Sequence, residues 1–234
     1  MNVKRFGKGV VTGGCEGPWK RGPDDDTPDF AEFELSGDSL VFAFAAELFP
    51  RLEWGNFLTS LNLSHILFRD SGYNWYSDMY GIGGVKQVVE YMQAKRQKYS
   101  KLLTLGLSKG SWAALKFGKL AQVDRVIAIS PNTGVGKNVW MDFPPEWHYR
   151  LVHDHDVLLI DDLKPLYASD PIPYIHAYIS DGDGCELDRT MAERVRAHEI
   201  TCIPGYTHGL STGVAFAIRD NGILREELLT WSRS

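Results

Sequence analysis

Cysteine is scarce in this chain: Cys15, Cys185 and Cys202 are the three in 234 residues. They are odd in number, irregularly spaced and without a CxxC pair, so neither a disulfide framework nor a zinc site is indicated. Reduced thiols in a cytoplasmic protein are the expectation. Long apolar runs are missing too. No stretch approaches the ~18 uninterrupted apolar residues of a membrane span. The opening MNVKRFGKGVVTGG carries positive charge but lacks the about 7–15-residue apolar segment of a signal peptide. Nor is there an excess of cations, since 25 Lys+Arg stand against 30 Asp+Glu for a net charge of −5. That balance disfavours nucleic acid as principal partner, because neutralising phosphates calls for Lys and Arg gathered on one face. The densest basic stretch, Lys95, Arg96, Lys98 and Lys101, closes a helical pattern, where cations complement the helix dipole.

What is present is an ordinary globular composition, 44% hydrophobic and 24% charged, which excludes disorder and collagen. A chain of this length can build a core without staples. Residues 1–30 read as an irregular lead-in, dense in Gly, Pro and Asp between 13 and 29. Residues 31–234 read as a single domain. Short apolar segments at Phe33 to Leu35, Leu40 to Ala45, His65 to Phe68, Leu102 to Leu107, Arg125 to Ile129, Pro173 to Ile179 and Ile200 to Ile203 predict strands. Several are apolar throughout, as strands covered on both faces must be. Helical patterns alternate with them at 85–99, 111–120, 188–197, 208–218 and 223–231. This alternation predicts a doubly wound, mostly parallel α/β sheet. Residues 131–172 break the rhythm and read as an excursion over one end of the sheet, too short for a core of its own.

The strongest chemical signal is LLTLGLSKGSWAALKFG. An apolar strand runs into Gly106-Leu107-Ser108-Lys109-Gly110 and then into a helix. A serine there sits on a tight, strained corner, with glycines two before and two after it letting strand and helix approach. Ser108 is thus raised at the carboxyl end of a strand, where open α/β sheets bind ligands. The following helix N-terminus offers N–H groups and a favourable dipole to a developing anion. The competing reading is a serine that merely caps its helix. A serine hydroxyl needs a base, and the base needs an orienting acid. Downstream, YIHAYISDGDGCELD opens from a strand into a loop with Asp181, Asp183 and Asp188. EITCIPGYTHG then delivers His208 on a Gly-containing loop.

These three parts, in the order Ser, Asp, His, resemble the α/β-hydrolase fold family over roughly residues 33–232. The resemblance implies Ser108 as nucleophile, His208 as general base and then acid, and an aspartate of the acidic loop as orienter. Asp183 is favoured by loop position. Asp188 is the runner-up, since it also suits the N-cap of the next helix, and Asp181 is third. The resemblance also implies an oxyanion hole from the N–H of Lys109 and one from the loop after an early strand. That loop reads AFAAELFP here rather than His-Gly, so the second donor is Ala46 or Glu47, with Ala46 preferred. No cofactor and no metal are expected. His153-Asp154-His155-Asp156 lacks the further His of a metal pattern. Gly134-Val135-Gly136-Lys137 lacks the first Gly and the Ser/Thr of a phosphate loop. His65 and His176 lie in strands and His198 at a helix end, where structural roles suffice. The segment FRDSGYNWYSDMYG follows a strand on the same edge as the serine. Its Trp75 and Tyr76 can line a substrate pocket or pack over the sheet end. The segment also resembles, more distantly, bacterial hydrolase-like proteins associated with surface glycans.

The expectation is therefore a soluble, cytoplasmic α/β-hydrolase with a reduced lid, a serine esterase or thioesterase acting on a small or acylated substrate through an acyl-enzyme. The alternatives are an acyltransferase, or a non-catalytic binding module of the same fold in glycan or lipid metabolism.

Overall fold

The computed structural model describes residues 2–4, 28–46, 54–70, 75–134, 162–182, 185–204 and 211–234. Among these, eight strands form one sheet: β1 (Asn2–Lys4), β2 (Phe30–Glu34), β3 (Ser39–Phe44), β4 (Ser64–Phe68), β7 (Lys101–Leu107), β8 (Arg125–Ile129), β9 (Tyr174–Ser180) and β10 (Glu199–Ile203). Their spatial order is β1-β2-β4-β3-β7-β8-β9-β10. From β4 to β10 neighbouring strands are parallel, while β2 is antiparallel to both β1 and β4. The sheet is thus mostly parallel, as the apolar runs predict. Strand β1 falls within the stretch expected to be irregular. A small separate hairpin joins β5 (Asp78–Met79) to β6 (Gly83–Gly84).

Six α-helices among the described residues cover the sheet: α1 (Gly55–Ser60), α2 (Val85–Ala94), α3 (Lys109–Leu120), α4 (Cys185–Arg194), α5 (Ser211–Asp220) and α6 (Ile223–Arg233). The side-chain alternation of β3 explains the two layers. Leu40, Phe42 and Phe44 join one core with Val88 and Met92 of α2, Trp112 and Phe117 of α3, and Leu187 and Met191 of α4. Val41 and Ala43 join the other with Leu58 of α1, Val214 and Ile218 of α5, and Leu224 and Leu228 of α6. Each fully buried Phe or Leu among them contributes about 1.5–3 kcal/mol.

The basic stretch is engaged in building this body. Lys95 Nζ lies 2.6 Å from Glu32 of β2 and Lys98 Nζ lies 2.8 Å from Glu34. Arg96 grips both oxygens of Asp124 at 2.7 and 2.9 Å. Lys101 Nζ donates to the Ser232 carbonyl at the end of α6 at 3.2 Å. These cations serve strand and helix packing, each beside a named acceptor.

The excursion between β8 and β9 leaves and rejoins the body at adjacent points. The Leu163 N–H donates to the Thr133 carbonyl at 2.9 Å. Arg194 of α4 donates to Thr133 Oγ1 at 3.2 Å and pairs with Asp162 at 2.6 Å. Residues 135–161 between these ends lie outside the described residues.

Candidate active site

Ser108 stands between β7 and α3, with φ 52° and ψ −117°, and its side chain makes no cap hydrogen bond. A non-glycine residue at positive φ costs about 1–3 kcal/mol and persists only where its surroundings over-determine it. Capping therefore does not account for this serine. The constraint comes from close packing on either side. A Cβ on Gly106 would overlap the Gly110 carbonyl and lie 2.7 Å from the Ser111 nitrogen. A Cβ on Gly110 would overlap the Phe44 carbonyl and lie 2.6 Å from that of Ala45. Only glycine at both positions lets α3 turn this sharply off β7 against the end of β3. The Ser108 N–H donates to the Ile129 carbonyl of β8 at 2.9 Å, and its own carbonyl accepts from Ser111 N–H at 2.9 Å to open α3. Ser108 is half-buried, at the carboxyl edge of the sheet.

Register fixes what else meets at this rim. Phe44 is opposite Gly106, so β3 and β7 end side by side, with Ala46 and Ser108 each two residues past that last pair. Ala46 is half-buried. Leu107 is opposite Ile129, Ile129 opposite Tyr178, and Ser180 opposite Ile203. The carboxyl ends of β9 and β10 hence lie side by side on the same edge. Asp181 is exposed, its N–H bound to the Ile203 carbonyl at 3.3 Å. Asp183 and His208 lie outside the described residues. For Asp188 the structure corrects the sequence reading of an N-cap. Helix α4 already begins at Cys185, which puts Asp188 in its first turn. There its side chain is fully buried.

The side chain of Lys109 turns away from its backbone role. Its ammonium lies 2.6 Å from Asp70 Oδ2, with both side chains almost wholly buried. Asp70 Oδ2 also accepts the Trp75 N–H at 2.8 Å. Two charges removed from water are held by each other, and the anion offsets a cation placed at the positive end of α3. Trp75 meets Trp112 edge-on at 5.7 Å. Tyr76 is fully buried and donates its hydroxyl to the Ala45 carbonyl at 2.6 Å. Both aromatics belong to the core packed beneath the sheet end. Sequence reasoning singled out this loop for its aromatics and missed Asp70. The available signal was an Arg-Asp pair at the end of an apolar strand, with no hint of its remote partner.

The other described histidines have structural surroundings. His65 is buried, bonded through Nδ1 to the Leu63 carbonyl at 2.8 Å, and stacked on Phe33. Burial holds its imidazole down at about 4. His198 Nδ1 accepts the Ile175 N–H at 3.2 Å. His176 joins Glu227 at 2.9 Å through Nδ1 and Thr201 Oγ1 at 2.8 Å through Nε2. That line has the carboxylate, imidazole and hydroxyl of a nucleophilic site. Yet Thr201 sits within the regular ladder of β10 opposite Tyr178, with neither a strained corner nor a helix N-terminus beside it. It fastens α6 and the edge strand to β9.

No known protein family and no curated protein matches the sequence. Solved structures do match. The capsule O-acetyltransferase of Neisseria meningitidis serogroup A superposes with a TM-score of 0.59 at 16% identity, over 88% of this chain and 90% of that one. A variant of that enzyme in complex with CoA gives 0.57 at 14% identity, over 82% and 88%. An esterase from Pyrococcus furiosus gives 0.57 at 16% identity, over 89% and 88%. The chain has the α/β-hydrolase fold.

Proposed function

We propose that the protein is a serine hydrolase that cleaves an ester or thioester through an acyl-enzyme. One observation carries the reading: a serine held at φ 52° on a strand-to-helix corner, with no capping bond to explain it. In this mechanism Ser108 Oγ bonds to the substrate carbonyl carbon while its proton passes to His208, whose ring Asp183 orients. The backbone N–H groups of Lys109 and Ala46 receive the oxyanion, each donor contributing about 2.7–4 kcal/mol. The intermediate collapses, the carbonyl-to-leaving-group bond breaks, and the alcohol or thiol departs with the proton from His208. Water then gives a proton to His208 as it adds to the acyl carbon, and the acid leaves as Ser108 recovers its hydrogen. Trp75 and Tyr76 enter the reading as the aromatic layer beneath this rim.

A second reading keeps the acyl-enzyme and replaces water by an alcohol acceptor, which ends as an ester while Ser108 regains its proton. The likeness to a capsule O-acetyltransferase, also solved with CoA, favours considering it. A fluorophosphonate probe tests the shared step. Labelling at Ser108 that disappears in Ser108→Ala supports the reading, while a folded protein that stays unlabelled refutes it in favour of a binding module. Competition between water and added alcohols during turnover separates hydrolase from transferase.

A further inference from the structure

Two described residues that follow β4, Asp70 and Tyr76, reach the two halves of the anion site proposed above. At one end Asp70 holds the Lys109 ammonium at 2.6 Å. At the other, Tyr76 donates its hydroxyl to the Ala45 carbonyl at 2.6 Å. Trp75 and Tyr76 both have left-handed backbones, at φ 55° and 58°. Two bulky residues in that region are held against their preference by their surroundings.

The bond to Ala45 has a geometric consequence. The Ala45 carbonyl and the Ala46 N–H belong to one planar trans peptide, so they point in opposite directions. Whatever fixes the oxygen also aims the hydrogen. The Ala45 N–H donates to Phe68 of β4 at 3.0 Å, and its carbonyl is turned to the loop that leaves β4. The Ala46 N–H is thereby directed away from that loop, to the side on which β7, paired with β3 as far as Phe44 and Gly106, runs on to Ser108. The phenol is buried, edge-on to Phe44 at 5.5 Å, and Gly110 packs against the same Ala45 oxygen.

We propose that Tyr76 is a positioning residue of the oxyanion hole, its hydroxyl orienting the Ala45–Ala46 peptide so that the N–H faces Ser108 before substrate arrives. The inference rests on the serine-hydrolase reading. Dipoles fixed in advance stabilise a developing charge most, because nothing reorganises during the reaction.

Tyr76→Phe keeps the ring and removes the donor. With p-nitrophenyl acetate, kcat falls about 10–100-fold, short of the about 10²–10³ of a lost donor, and KM stays within about twofold. Affinity for a trifluoromethyl ketone, which adds to Ser108 as an oxyanion, falls in step with kcat, as it must for an effect on the transition state. In the wild-type protein the Ala46 amide proton moves downfield when the ketone adds. A Tyr76→Phe protein with wild-type kcat and ketone affinity, whatever its melting temperature, overturns the inference, and so does an Ala46 amide that stays in place. Wild-type protein never labelled at Ser108 instead refutes the serine-hydrolase reading, and that measurement comes first.

Discussion

The α carbon of Gly106 faces the Gly110 carbonyl across a gap that a methyl group overfills. Gly106→Ala and Gly110→Ala therefore force backbone apart and not merely side chains, and each destabilises the fold by about 3 kcal/mol or more, at or beyond the top of the usual range for overpacking. Gly118 is a milder case, since its added Cβ would meet Thr104 Oγ1 at 2.7 Å and Val126 Cγ2 at 2.8 Å, both side-chain atoms. Gly118→Ala loses about 1–3 kcal/mol. Urea denaturation of the three variants checks this ranking, and equal losses would contradict it.

Removing one member of the buried Lys109–Asp70 pair is worse than removing the charge of both. Asp70→Asn leaves an ammonium buried at the positive end of α3 and destabilises by about 3–5 kcal/mol. Adding Lys109→Met to it restores part of the loss, while the amide oxygen that replaces the Asp70 carboxylate can still accept the Trp75 N–H. A double-mutant cycle measures the coupling. Additive losses would mean that the pair contributes no mutual stabilisation.

His65 makes stability depend on acidity. Burial lowers its imidazole from 6.5 to about 4, and its Nε2 is buried without a partner among the described residues. The folded protein keeps it neutral where the unfolded chain takes up a proton. Its contribution is whole above pH 6.5 and is lost as pH falls from 6.5 to about 4, a change of roughly 3 kcal/mol at most. His65→Asn, whose amide can take over the bond to Leu63, shrinks the stability difference between pH 7 and pH 5. An unchanged difference would remove His65 from the account.

Two aspartates on the β9 side compete for the role of orienting acid. Asp183→Asn lowers kcat about 10³–10⁴-fold with little change in melting temperature, as loss of an imidazole's partner does. Asp188→Asn, altering a buried carboxylate in the first turn of α4, lowers the melting temperature and leaves kcat within severalfold. The reverse pattern reassigns the acid to Asp188.

The parts legible from sequence were those written in local periodicity. The apolar run from Leu102 to Leu107 is a strand because it is covered on both faces, and the two glycines around Ser108 announced the corner because an apolar strand precedes them and a helical pattern follows. Element ends were read less well. Helix α4 starts at Cys185 and not at Asp188, because a helix start depends on how the chain leaves the preceding strand. The six-residue α1 and the two-residue strands β5 and β6 are too short for any periodicity to show.

The sequence by itself determined the alternation of strand and helix and the corner at Ser108, since each follows from residues within a turn or two of one another, and the chain order of the candidate groups is read from it directly. Only the tertiary structure decided that Lys109 turns to Asp70, that Tyr76 holds the Ala45 carbonyl and that the basic run serves β2, Asp124 just before β8, and α6. Those pairings join segments distant along the chain. Which donor meets which acceptor is fixed by sheet order and register, and no local pattern encodes either.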